Sequence, residues 1–235
     1  MLRGMCLRVV LAAGFLLIVV TGLRSAPPSY KASANNVIVI ARLQLRESTL
    51  RVDPMADFNL SRSILKRTNL LLGLDRAVVE LKNDDIFNYP FLIFCSEHGK
   101  MNLNDLEREK IRRYLVGGGF IYIDDCNAKL RLRSDLRGEI NALAPKHQLK
   151  PIPLSHPLYQ CYYDIKRIVP ARRGGPRYHE GLEIDGRLAL VYSLNGEGCS
   201  WQSWKWAGPL CSCLPSDYDY AFEFGTNLLF YALTH

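Results

Sequence analysis

The sequence predicts an α/β fold, a mostly parallel sheet covered on both faces by helices, and three observations carry that expectation. Short continuous apolar runs without period-two alternation recur along the chain, as strands buried on both faces require. Amphipathic stretches of helical period separate them. The stretch from Tyr89 to Cys126 shows the repeating unit whole: an apolar run at 91–94, an amphipathic helix, and a second apolar run at 120–123. A short helical crossover between two strands of one sheet makes them parallel.

The elements follow in order behind a leader. Arg3 and Arg8 precede an apolar stretch over 9–20 that continues through Gly22 and Leu23 to Arg24. That is the charge order and length of a signal peptide, and it is short for a membrane span. Ala32-Ser33-Ala34 offers a small-x-small cleavage site, and Ser25 or Ala26 an earlier exit. Residues 1–34 are therefore read as a signal peptide or an N-terminal anchor, and 35–235 as a single domain outside the cytoplasm, in the periplasm or cell envelope. A chain of 235 residues with 48% hydrophobic content can bury one substantial core.

Residues 36–41 read as a first strand with Arg42 and Gln44 at its end. A helix is predicted over 58–72, with Leu60, Ile64, Leu65 and Leu71 on its apolar side, and a second strand over 77–81. After the 91–94 strand, Leu103, Leu106, Lys110, Ile111, Tyr114 and Leu115 take the three-four spacing of a core-facing stripe. Glu107, Arg108, Glu109, Arg112 and Arg113 fill the wet face. Asn104 and Glu107 form a capping pair, and Gly117, Gly118 and Gly119 stop the helix with a left-handed C-cap. This glycine run precedes a strand and opens no helix, so it lacks the context of a phosphate-cradling loop. A third helix is predicted over 134–143, stopped before Pro145, and 151–157 is extended. Strands at 182–184 and 188–193 flank Asp185-Gly186, a hairpin turn signal, and 217–233 closes the chain as a helix.

The net charge of +7 does not point to nucleic acid. Arg3, Arg8, Arg24 and Lys31 belong to the leader, which has no acid, leaving 26 basic against 23 acidic residues in the rest, or +3. The basic runs at 129–133 and 172–177 read as a solvated helix face and a loop, without aromatic interleaving or a recognition motif. Outside the leader stand Cys95, Cys126, Cys161, Cys199, Cys211 and Cys213, an even number that fits an oxidising compartment. Cys199 with Cys211 or Cys213 would close a loop around Trp201, Trp204 and Trp206. Cys95 and Cys126, near adjacent strand ends, are a further potential pair. Six cysteines allow fifteen pairings, so no connectivity follows.

The chemistry gathers at the carboxyl ends of the strands. The 91–94 run leads into Ser96, Glu97 and His98, and the 120–123 run into Asp124, Asp125 and Cys126. Parallel strands bring both sets to the edge where open α/β sheets place ligands. Cys126 is a nucleophile candidate with His98 or His156 as base, or else a buried thiol or half of a disulfide. Asp124 and Asp125 are candidates for acid and base or for a divalent cation, with capping of the next helix as the alternative. His156, before Pro157, is placed to fold over the edge as a lid. Arg42, Gln44, Glu97, His156, Asn195, Glu197 and Trp201 are the ligand-binding candidates. The last three follow a core strand and suit a polar-aromatic pocket for a sugar or similar polar ligand, or else a loop locked by disulfides. No cofactor is named by any motif.

The phrases NVIVIARLQ, NYPFLIF, His98-Gly99, the helix with its GGG stop, IYIDDC, LSHPLYQCYYDI, EGLEIDGRLALVYSLN and NLLFYALTH also carry a resemblance. From Asn36 to His235 the chain resembles the bacterial domain-of-unknown-function family four-one-five-nine. That resemblance implies a flavodoxin-like three-layer sandwich of the class I glutamine-amidotransferase-like kind and an association with the cell envelope; it implies no activity. In that fold the nucleophilic cysteine follows the strand after such a glycine-terminated helix, the neighbourhood of Cys126. Asp124-Asp125-Cys126-Asn127 lacks the Gly-x-Cys-x-Gly elbow. The expectation is a ligand-binding or scaffold module on an amidotransferase-like fold, partnered by a small polar ligand or an envelope protein. A hydrolase built on Asp124, Asp125 and His98, with or without a metal, and a thiol enzyme built on Cys126 are the alternatives.

Overall fold

The structure, a computed structural model, describes residues 37–46, 51–96, 100–125, 130–171, 175–202 and 218–235. The predicted leader, Glu97, His98, Cys126, Cys211 and Cys213 lie outside them. Among the described residues no helix is long and apolar enough to cross a membrane.

The elements in chain order are β1 (Ala41–Gln44), α1 (Ala56–Arg67), β2 (Ala77–Glu80), β3 (Phe91–Ser96), α2 (Asp105–Val116), β4 (Phe120–Asp125) and α3 (Leu130–Leu143). They continue with β5 (Lys150–Pro151), β6 (Glu180–Ile184), β7 (Arg187–Ser193), α4 (Glu197–Gln202) and α5 (Tyr218–Thr234). Among the described residues the strands form one sheet in the order β2-β1-β3-β4-β7-β6-β5. Strands β2, β1, β3, β4 and β7 run parallel, while β6 and β5 add an antiparallel margin. The strand order reverses between β1 and β3, which is where open sheets of this kind hold ligands.

Both faces of the sheet are covered, and strand alternation decides what each face receives. Leu92, Phe94, Ile121 and Ile123 pack under α2 and α3 with Ile111, Tyr114, Leu136 and Ile140. Phe91, Ile93, Cys95, Phe120 and Tyr122 pack on the other side with Leu60 and Ile64 of α1, Trp201 of α4, and Phe224 and Leu228 of α5. Each such side chain, removed from water, contributes about 1.5–3 kcal/mol.

Two predicted boundaries and one predicted stripe shift for identifiable reasons. The first strand falls at 41–44 and not at 36–41, because Ile38 makes only an isolated bridge to Leu72. Arg42 and Gln44 are thus inside the strand. Helix α1 stops at Arg67 because Thr68 turns extended and its hydroxyl donates to the Ile64 carbonyl while accepting from Leu70 N. Leu71, predicted on the apolar side of that helix, is 71% exposed. In α2 the predicted Asn104–Glu107 capping box is present in both directions. Leu106, assigned to the buried stripe, is 83% exposed. At 3.6 residues per turn it sits about 140° from Ile111 and opposite Leu115, so the true stripe is narrower.

The triple glycine has a packing role. Gly118 takes the left-handed conformation at φ 99°. A Cβ on Gly119 would lie 2.3 Å from the Tyr114 ring, which folds across it and donates its hydroxyl to the Tyr89 carbonyl at 2.8 Å. The Asp185-Gly186 turn has φ of 51° and 79°, the paired left-handed geometry of a tight hairpin, as its dipeptide predicts.

Replacement of Asn104 by Ala should lower the unfolding free energy by about 1 kcal/mol. Leu106→Ala should change it by less than about 0.5 kcal/mol, as expected of an exposed position. Urea denaturation of both variants checks the pair, and a larger loss at Leu106 would restore it to the core stripe.

Candidate functional site

At the carboxyl edge Cys95 of β3 and Asp124 of β4 are direct neighbours in the parallel register. By alternation both side chains point to the α1, α4 and α5 face, with Tyr122. Asp124, fully buried, accepts from Gly196 N at 3.2 Å and Gly198 N at 2.7 Å, which ties the start of α4 to the sheet. Asp53 enters from the segment after β1. Arg42 explains how: buried inside β1, its guanidinium donates to the carbonyls of Val52 and Asp53 and to Asp57 at 3.3 Å. This ion pair and its two carbonyl contacts fix residues 52–57 against the strand end. One carboxylate oxygen of Asp53, the Cys95 sulfur and one carboxylate oxygen of Asp124 lie within 4.8 Å of one another.

Cys95 is a free thiol, so the pairing with Cys126 raised by its position is not made. Burial pushes the thiol well up, Arg42 opposes this, and the carboxylates of Asp53 and Asp124 add to it. Asp125 takes the other direction. It lies on the α2 and α3 face, where it accepts from the Tyr192 hydroxyl at 3.1 Å. Asp124 and Asp125 therefore do not converge on one ion or one substrate.

A second polar cluster lies beneath the start of α4. Glu197 is fully buried. Its Oε2 accepts from the Tyr122 hydroxyl at 2.9 Å and the Ser193 hydroxyl at 2.5 Å, and its Oε1 accepts from His179 Nε2 at 2.9 Å. The His179 ring stacks on Phe224 at 4.1 Å, with the Tyr159 hydroxyl 3.0 Å from Nδ1. Burial alone would raise the Glu197 carboxyl, but His179, through charge and hydrogen bond, and the Ser193 hydroxyl hold it below its ordinary value of 4.5.

The family model for a domain of unknown function, DUF4159, matches residues 39–233. The chain belongs to the DUF4159 family. No curated protein matches it.

The predicted ligand residues of this DUF4159 chain separate into distinct places. Asn195 is buried, donating from its backbone to the Ser193 hydroxyl at 3.1 Å and from its side chain to the Tyr178 carbonyl at 3.4 Å. Trp201 is a core residue: its Nε1 donates to the Ala221 carbonyl at 2.8 Å and its ring lies 5.3 Å from Tyr122. His156 is at the opposite end of the sheet. Its Nδ1 accepts from Leu158 N at 3.1 Å and its ring lies 5.5 Å from Tyr231, whose hydroxyl accepts from Leu188 N at the start of β7. The predicted lid over the carboxyl edge is thus not formed by His156. Gln44, half-buried, ends β1 opposite Glu80.

Asp53, His179, Tyr122 and Ser193 escaped the sequence reading, and Cys95 was read only as half of a disulfide. Each meets its partners through contacts remote in sequence, which no local pattern reveals. One signal was available for Asp53: it lies in the loop after the first strand, on the switch-point side of the sheet.

Two outcomes follow for the DUF4159 domain. A carboxyl whose native pKa lies below its unfolded value stabilises the fold above the unfolded value, and that stabilisation is lost as pH falls through the native one. Glu197→Gln should therefore cost roughly 3–5 kcal/mol at pH 7, as when one partner of a buried pair is removed. Below pH 4.5 the gap to the wild type should narrow. Chemical denaturation across the acid range reads both effects. Separately, iodoacetamide labelling with peptide mapping should leave Cys95 unmodified in the folded protein and modified once it is unfolded. Rapid native labelling would contradict its burial.

Proposed function

We propose that this chain is an exported cell-envelope module that binds a small polar or ionic ligand at the carboxyl edge of β1, β3 and β4, on an amidotransferase-like fold without that fold's nucleophile elbow. The observation that carries it is the convergence of Asp53, Cys95 and Asp124 from three separate segments onto the edge where the strand order reverses. Convergence of polar groups on a sheet-edge crevice is the general placement of ligand sites in open α/β folds. A hydrolase on Asp124, Asp125 and His98 has less support. Asp124 is engaged by two backbone N–H groups and Asp125 faces the other side of the sheet. Export is supported by the charged and apolar order of residues 3–24 and by the disulfide-bonded state of Cys199. The nearly balanced charge outside the leader speaks against a nucleic-acid partner, and contact with the membrane runs through the N-terminal segment where that is retained.

Ligand-observed NMR with a panel of sugars, amino acids and organic acids, paired with hydrogen exchange, tests the binding reading. Binding of one member with protection confined to the backbone around Asp53, Cys95, Ser96 and Gly198 is the expected result. Protection elsewhere, or no binding by the panel or by divalent cations, would remove it. Fusion of residues 1–40 to alkaline phosphatase tests export, since that enzyme is active only where its own disulfides form; an inactive fusion places the chain in the cytoplasm.

A further inference from the structure

We propose that Asp53, Cys95 and Asp124 hold a divalent cation of the zinc class, borderline in softness. This rests on the ligand-site reading above and names its ligand. The donor set is one sulfur and two carboxylate oxygens. Magnesium and calcium take oxygen donors, whereas a thiolate among the ligands selects zinc and its chemical neighbours. With metal–sulfur bonds of about 2.3 Å and metal–oxygen bonds of about 2.1 Å, a tetrahedral ion spaces its donors by about 3.5 Å. The three donor atoms lie within 4.8 Å of one another, so they close on such an ion through small side-chain movements.

The backbone of Gly198 stands against all three donors. A Cβ there would lie 2.7 Å from Asp124 Oδ2, 3.1 Å from Cys95 Sγ and 3.4 Å from Asp53 Oδ2, so any side chain at this position would fill the cradle. Independently of the two acids, the Cys95 sulfur is 1% exposed, makes no hydrogen bond among the described residues and faces that same point. A buried thiol facing two carboxylates gains little as a packing group.

The supporting groups fit the same role. Gly196 N and Gly198 N orient the Asp124 carboxylate, and Arg42 fixes the backbone carrying Asp53 through the carbonyls of Val52 and Asp53. Second contacts of this kind preorganise metal ligands. On binding, the Cys95 S–H bond breaks, its proton passes to solvent and the sulfur lone pair forms the metal bond. Three protein donors leave a fourth position for water or a ligand oxygen, the pattern of an open zinc centre and not of a closed structural one.

Cobalt(II) and zinc titrations of the purified full chain test the assignment. One equivalent of cobalt should bind with a thiolate-to-cobalt charge-transfer band in the near ultraviolet. Cys95→Ser should abolish that band, while Cys126→Ser should leave it unchanged. Asp53→Asn keeps a residue that tolerates the local φ of 45°. It should retain the band and weaken zinc binding by about 10–100-fold in equilibrium dialysis. If Cys95→Ser fails to fold, the Asp53→Asn affinity decides alone. Cobalt bound without the band, a band that survives Cys95→Ser, or zinc affinity unchanged in Asp53→Asn would each overturn the proposal. Should neither metal bind while the organic panel still protects this edge, the cation assignment falls and the ligand-site reading stands; failure of both removes both.

Discussion

The buried carboxylate of Glu197 is the constraint on which the upper edge of this structure depends. Taking a carboxylate out of water costs several kcal/mol, and only a full set of donors offsets it. Here the donors come from three places: Tyr122 on β4, Ser193 on β7 and His179 ahead of β6. Because Glu197 is also the first residue of α4, satisfying it sets where that short helix begins. The neighbouring glycines are then within reach of Asp124, which accepts their N–H groups. The position of Gly198 beside Cys95 and Asp53 is thus a consequence of how a charge is neutralised one residue away.

A second constraint comes from strand alternation. Asp124 and Asp125 are adjacent in sequence and separated by the thickness of the sheet, one engaged with α4 and the other with Tyr192. Two consecutive acids at a strand end therefore serve two different layers. The carboxylate that joins Asp124 comes from Asp53, across the reversal point, and only because Arg42 spends its guanidinium on the Asp53 segment and Asp57. A buried arginine in a four-residue strand is costly unless fully bonded. Its bonds here turn that cost into the fixed geometry of the loop that supplies Asp53.

Much of the fold was legible because it rests on local patterns. The capping box at Asn104 and Glu107, the glycine stop of α2, the Asp185-Gly186 turn and the apolar strands at 91–94 and 120–123 are short-range signals, and each appears where the sequence places it. The errors have a common origin. Leu106 and Leu71 were assigned by apolar character, although helix phase puts the first away from the core and a side-chain cap ends the helix before the second. The site was legible in location and not in membership. The carboxyl edge follows from parallel strands alone. Which groups meet there depends on partners as distant as Asp53 and Asp124, or His179 and Glu197, and on a glycine whose missing Cβ lets the start of α4 approach them.

The character of this edge bears on which chemistry a mostly parallel α/β sheet of this kind can host. Stabilising a developing oxyanion requires backbone N–H groups that point at open space near the nucleophile. At the start of α4 the available N–H groups, Gly196 and Gly198, are already taken by Asp124. What the described part of the edge presents inward is two carboxylates and a sulfur, all of them electron-pair donors. An environment of this polarity disfavours negative charge and favours a cation. The strand ends that in a hydrolase would be lined with donors are here lined with acceptors, because Asp124 of β4 takes the N–H groups that open α4.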